Sequence, residues 1–160
     1  GEGLGNAFLS NIREMNALAH VVRCFEDENI THVDGSIDPV RDAEIINLEL
    51  IMSDLETVSK RILKCEKLLK TNDKKNKAEH KILIMIKNEL DQGKLINIEG
   101  FNEDEKAIIK SFQLLSSKPT FYIANISDDG SSDDALNKLI EFANLSDNPV
   151  IPPQLRSSKR

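Results

Sequence analysis

The chain has 160 residues, a formal net charge of −6 and 30% charged side chains, which gives it the size of one domain with a core of its own. That charge excludes broad electrostatic capture of nucleic acid or anionic membrane, so strong DNA binding is not expected and any nucleic-acid contact must come from a local patch. No apolar run approaches the ~18–20 residues of a membrane span, and the first residues lack the basic-then-apolar layout of a signal peptide.

Aromatic residues are 4% of the chain and Trp is absent, so a core must be built from Ile, Leu and Val. From Asn6 the apolar residues Phe8, Leu9, Ile12 and Met15 fall at helical spacing. The spacing predicts a short amphipathic helix over 6–16 with Gly5 or Asn6 at its N-cap. "ALAHVVRCF", residues 17–25, is a compact Val-rich run ended by an acidic turn and reads as a buried strand. Asp34-Gly35 and Asp38-Pro39 then mark loop and turn, with Pro39 suited to the first turn of a helix.

From residue 39 to 69 the pattern changes. Ile45, Leu48, Met52, Leu55, Val58, Ile62, Cys65 and Leu69 advance in steps of three and four among charged residues, which predicts one long helix with a narrow apolar stripe. "KTNDKKNK", 70–77, has no apolar residue and is expected to be an exposed connection. A second helical run over 78–90 stops near Gly93, so the two helices should form an antiparallel hairpin. Simple packing and partner docking are both open roles for it.

Asn102 with Glu105 three residues on predicts a capping box opening a helix with Ile108, Ile109, Phe112 and Leu115 inward, ended at Lys118-Pro119. "TFYIAN" is a short strand, "ISDDGSSDD" a solvated acidic loop, "DALNKLIEFAN" a helix with Leu136, Leu139, Ile140 and Ala143 inward, and "PVIP" a last strand. Without the hairpin, helices and strands alternate, the pattern of a parallel sheet with crossover helices. Cys24 and Cys65 sit in apolar runs and read as small buried residues of a reducing compartment, not as a disulfide pair.

His20, His32 and His80 have no metal-ligand spacing to one another or to the cysteines. There is no G-x-S-x-G, no H-E-x-x-H and no local Cys/His nucleophile pair, so no catalytic residue and no metal ligand is nominated. Gly1, Gly3 and Gly5 fail the dinucleotide test, because no strand precedes them. One feature carries chemistry. Asn125 directly follows an apolar strand and Asp128 stands three residues on, at the carboxyl end of a parallel strand, where open α/β sheets bind ligands. An Asn amide can donate to and accept from a purine edge, and a carboxylate can accept from its N–H groups.

"GEGLGNAFLSNIRE", "AHVVRCFEDENITHVDGSIDPVRDAEIINLEL" and "SSKPTFYIANISDDG" together resemble the YchF, or Obg-like ATPase, subfamily of translation-factor-related P-loop NTPases, over residues 1 to about 152. The resemblance implies an α/β fold: the C-terminal part of a G-domain-like parallel sheet with an inserted antiparallel, coiled-coil-like helical hairpin. It implies nucleotide-binding portions at 1–41 and 101–160 around a hairpin at 42–100. Gly1, Gly3 and Gly5 then match the tail of the second switch region, so Gly1 would be an internal position of a longer protein. Asn125 matches the Asn of the base-recognition motif, with Ile126 in place of the Lys that packs on the base in GTPases. In the family the loss of that Lys goes with accepting ATP, so the resemblance implies an ATP-preferring protein, while Asp128 stands where the family has Glu and restores the acid with which GTPases read guanine. "VIPPQLRSSKR" departs from the family's base-closing segment.

The family implies a cytoplasmic protein that binds ATP or GTP with Mg and acts with the ribosome or translation machinery. The phosphate-cradling G-x-x-x-x-G-K-[ST] pattern occurs nowhere in these 160 residues, so the Mg ligands are not in this chain and the chain alone is expected to be inactive. The competing expectation is a non-catalytic helical hairpin that docks a partner.

Overall fold

The computed structural model describes residues 5–26, 37–146 and 148–151. Gly1, Gly3, His32, the Asp34-Gly35 turn and the basic tail after Ile151 lie outside the described residues. The elements in chain order are helix α1 (Asn6–Ile12), strand β1 (Leu18–Arg23), helices α2 (Pro39–Leu68), α3 (Lys74–Asp91) and α4 (Glu103–Ser111), strand β2 (Thr120–Asn125), helix α5 (Asp133–Leu145) and strand β3 (Val150–Ile151). Among the described residues, 5–16 and 46–118 form one compact unit, and 17–26, 37–45, 119–146 and 148–151 form a second. Helix α2 runs through both.

The second unit is a three-stranded parallel sheet in the order β1-β2-β3. Leu18 is in register with Thr120 and Arg23 with Asn125, and Tyr122 pairs with Val150. Parallel neighbours require a crossover, and α5 supplies it between β2 and β3. Its Leu139 and Ala143 join Val22, Cys24, Tyr122, Ala124 and Ala43 in one buried cluster. The expectation of a strand buried over 17–25 holds for one face only: Val22 is buried, while Val21 on the opposite face is 61% exposed. Ile140 of α5, expected inward, is exposed, and Phe142 packs on the cluster instead. Both cysteines are buried and free.

The first unit is helical. Val58, Ile62 and Cys65 of α2 pack with Ile82, Leu83, Ile86 and Leu90 of α3, and with Ile109 and Phe112. The predicted stripe holds from Leu55 to Cys65. Before that point it is turned: Ile45, Leu48 and Met52 are exposed, and Leu50, Ile51 and Asp54 are buried.

Asp54 explains the turn. Its carboxylate is fully buried and accepts from the backbone N–H of Leu115 at 2.9 Å, the N–H of Ser116 at 2.7 Å and the Ser116 hydroxyl. The same contact ends α4 early. The helix was expected to run to Lys118-Pro119 but stops at Ser111, and Gln113 takes a left-handed φ of 53°, so that Leu115 and Ser116 aim their N–H groups at the carboxylate. Burial pushes the Asp54 carboxyl up, against the three donated hydrogen bonds and the nearby Arg13.

Two further boundaries shift for identifiable reasons. Residues 70–77, expected to be exposed connection, include the start of α3, capped by the Asp73 side chain. Asn76 there is buried, and its amide donates to the Cys65 carbonyl at 2.9 Å. Helix α1 ends at Ile12 rather than near 16, because the Lys118 ammonium takes the carbonyls of Arg13 and Met15, each at 2.7 Å. Of its apolar face only Leu9 is buried, with Phe8 and Met15 exposed. The Asn102–Glu105 capping box forms as expected, each side chain bonding the other's backbone N–H.

Replacing Asp54 by Ala orphans two buried N–H groups that had a charged acceptor, a loss of about 2–4 kcal/mol. Thermal unfolding should show it as a Tm lower by roughly 5–15 °C, and an unchanged Tm would remove Asp54 from this role. His20 gives a separate outcome. Burial lowers its pKa below the usual 6.5, with Asp42 opposing, so the unfolded chain binds the proton more readily. Stability is then lost as pH falls below about 6.5. Urea titrations from pH 7.5 to 5 should show this one-proton dependence in the native chain and not in His20→Gln.

Candidate base-recognition site

The parallel register places Asn125 as the last residue of β2, with its carbonyl accepting from the Cys24 N–H at 2.8 Å. The backbone there is held by the sheet while the side chain is exposed. Ile126 turns inward and packs on the sheet's core. Asp128 is exposed. Among the described residues, neither the Asn125 amide nor the Asp128 carboxylate enters a hydrogen bond or ion pair. The three predicted residues therefore share one short loop, two of them presenting polar groups to solvent.

What orders that loop was missed in the sequence. Ser132 is 1% exposed, and its hydroxyl accepts from the Ser127 N–H at 2.9 Å. The Asp129 carboxylate accepts from the Ser127 and Ser131 hydroxyls, both at 2.6 Å, and from the Ser131 N–H at 3.0 Å. These hydrogen bonds hold the Asp129 carboxyl at about 2, well below the usual range. Gly130 has a φ of +79°, which a side chain rarely adopts. The stretch is mostly exposed and acidic as expected, and within it a serine-bonded turn leads into α5. The signal for it was a Ser at each side of Asp-Gly, a composition that favours side-chain-bonded turns.

Gly5 is in the other unit, before α1, with a φ of −67° and a ψ of 150°. A Cβ there would meet nothing within 4 Å, so the local fold does not demand glycine. The described residues contain no group of three or more His, Cys, Asp or Glu placed to hold a metal ion, and no helix long and apolar enough to cross a membrane. The exposed side chains, one that both donates and accepts and one that accepts, suit the edge of a planar, hydrogen-bonding ligand.

No protein-family model matches the chain. Curated relatives do. It is 48% identical over 147 residues to the ribosome-binding ATPase YchF of Bacillus subtilis, covering 89% of this chain and 40% of that protein. It is 42% identical over 153 residues to the ribosome-binding ATPase YchF of Escherichia coli O157:H7, covering 95% of this chain and 42% of that one. Among solved structures, the Schizosaccharomyces pombe YchF GTPase superposes with a TM-score of 0.81 at 33% identity, over 95% of this chain and 43% of the other. The chain thus spans about two fifths of the length of these relatives. With a three-stranded parallel sheet, long helices and matches over nearly its whole length, the chain is similar to one part of the YchF proteins.

Proposed function

We propose that this chain is the base-reading and helical part of a cytoplasmic nucleoside-triphosphatase that works with the ribosome. In that reading Asn125 engages the purine edge and the backbone of Ile126 lies beside the base, its side chain being packed on the sheet's core. Asp128 accepts from the base's N–H groups. The observation that carries it is the placement of two unpartnered polar side chains at the carboxyl end of a parallel strand, on a turn held rigid by Ser127, Asp129 and Ser132. A rigid turn lowers the ordering cost of binding.

Gly1, Gly3 and Gly5 would lie in the switch segment that approaches the γ-phosphate, and ATP or GTP with Mg would be held by phosphate-binding residues elsewhere in the longer protein. The names of the relatives, both ribosome-binding ATPase and GTPase, support nucleotide binding while leaving the base open. Asp128 bears on that choice. A carboxylate acceptor suits guanine, which offers a ring N–H and an amino group on one edge, better than adenine, whose ring nitrogens are acceptors.

In the full-length protein, Asn125→Ala should weaken nucleotide binding by about 1–3 kcal/mol, the scale of an unsatisfied polar partner, or roughly 5- to 150-fold in Kd. Titration calorimetry with ATP and with GTP measures it, and equal affinities for native and variant protein would remove Asn125 from the site. Asp128→Ala should weaken GTP more than ATP in the same experiment. The 160-residue chain by itself should hydrolyse neither nucleotide above a protein-free blank.

A further inference from the structure

We propose that the turn end of the α2–α3 hairpin docks on the phosphate backbone of structured RNA, an inference that rests on the ribosome-associated reading above. Residues 60–81 contain nine Lys and Arg against three Asp and Glu, a local charge of +6 in a chain whose total is −6. The rest of the chain therefore carries −12, so positive charge is concentrated at the hairpin's end.

Most of this charge is uncommitted. Lys60 pairs with Glu56 at 2.8 Å and Arg61 with Glu79 at 3.6 Å. Lys64, Lys67, Lys70, Lys74, Lys75 and Lys81 are all exposed, and among the described residues no ion pair or side-chain hydrogen bond involves any of them. Their spacing gives the charge a shape. Lys60, Lys64 and Lys67 fall on the side of α2 opposite buried Val58, Ile62 and Cys65, and Lys74 and Lys81 fall on the side of α3 opposite buried Leu83 and Ile86. The buried sides pack in one cluster, so the lysines flank the tip on its two outer sides. That disposition suits insertion between two phosphate strands.

The chemistry favours a polyphosphate backbone over other anionic partners. Eight of the nine cations are Lys, and residues 60–81 contain no Phe, Tyr or Trp, which points to point-charge contacts with phosphate without base stacking or bidentate base reading. A membrane-surface helix needs a broad exposed apolar face beside its basic one. Here the apolar stripes are buried, and the exposed Leu63 and Leu68 are five residues apart and do not share a face.

The test uses the full-length protein, fluorescence anisotropy with an RNA duplex of about 20 base pairs, and co-sedimentation with ribosomes. The variant Lys67→Glu/Lys70→Glu/Lys75→Glu is compared with Lys94→Glu/Lys110→Glu/Lys138→Glu, which changes net charge equally away from the tip. The tip variant should lose duplex affinity tenfold or more, and its slope of log K against log salt should fall by roughly 2–3. The control should lose less than threefold. Ribosome co-sedimentation should fall for the tip variant alone, with its nucleotide affinity and Tm unchanged. Equal RNA affinities for the two variants overturn the proposal. So does loss of ribosome binding with RNA affinity intact, which would indicate an acidic protein partner, or binding of native protein to phosphatidylserine vesicles but not to the duplex. If both variants co-sediment as native protein does, the tip is excluded while the ribosome reading stands. If native protein itself does not co-sediment, that reading fails and this inference with it.

Discussion

The helical unit depends on a buried carboxylate. Asp54 lies in the middle of α2, and its partners, Leu115 and Ser116, lie 61 and 62 residues further along the chain. A lone charge in such a place costs several kcal/mol. Three donors directed at it from one short segment offset that cost, and they make the segment's path specific: Gln113 must turn left-handed for Leu115 and Ser116 to reach. The orientation of α2 about its own axis follows, since Asp54 and its neighbours Leu50 and Ile51 must face inward together. The Ser116 carbonyl in turn accepts from the Ile96 N–H, which ties the chain after α3 to the same point.

Around that anchor the unit gathers small polar ties at the ends of helices. Arg13 donates to the Ser53 hydroxyl at 2.8 Å, one residue before Asp54, and Lys118 holds the carbonyls after α1. Asn76 closes the hairpin on the Cys65 carbonyl. The Lys118 and Asn76 ties satisfy backbone carbonyls at helix ends, where intrahelical partners run out, and Arg13 ties the end of α1 to the middle of α2. The same economy orders the loop after β2, where Asp129 and three serines bond one another. Asn125 and Asp128 are left outside that network, so the polar groups that hold the turn and those left exposed beside it are different residues.

Much of the architecture was legible in the sequence because it rests on local patterns. The alternation of helix and strand, the long α2, the capping box at Asn102 and the strand ending at Asn125 all appeared where periodicity and cap chemistry put them. The candidate loop was legible too, through its place at a strand's carboxyl end and through the family resemblance. Its internal order was not, since a solvated acidic segment gives no sign of which serines its Asp129 will bond. The inward side of the first half of α2 was misread for a related reason. Ile45, Leu48 and Met52 make a plausible apolar stripe, whereas the true one passes through a charged residue, and no local rule turns Asp54 toward the interior.

The sequence by itself determined which segments are helix or strand, that the sheet is parallel, and that charge collects at one end of the hairpin, because spacing, caps and composition are properties of neighbours along the chain. Tertiary structure decided which side of α2 is buried, where α4 and α1 stop, that Asn76 belongs to the interior, and that only one face of β1 is covered. Those outcomes depend on partners tens of residues away, such as the Leu115 and Ser116 N–H groups for Asp54 and the Lys118 ammonium for the end of α1. A hydrogen bond between distant residues selects among local conformations of similar energy, and its donor and acceptor cannot be paired until the chain has folded.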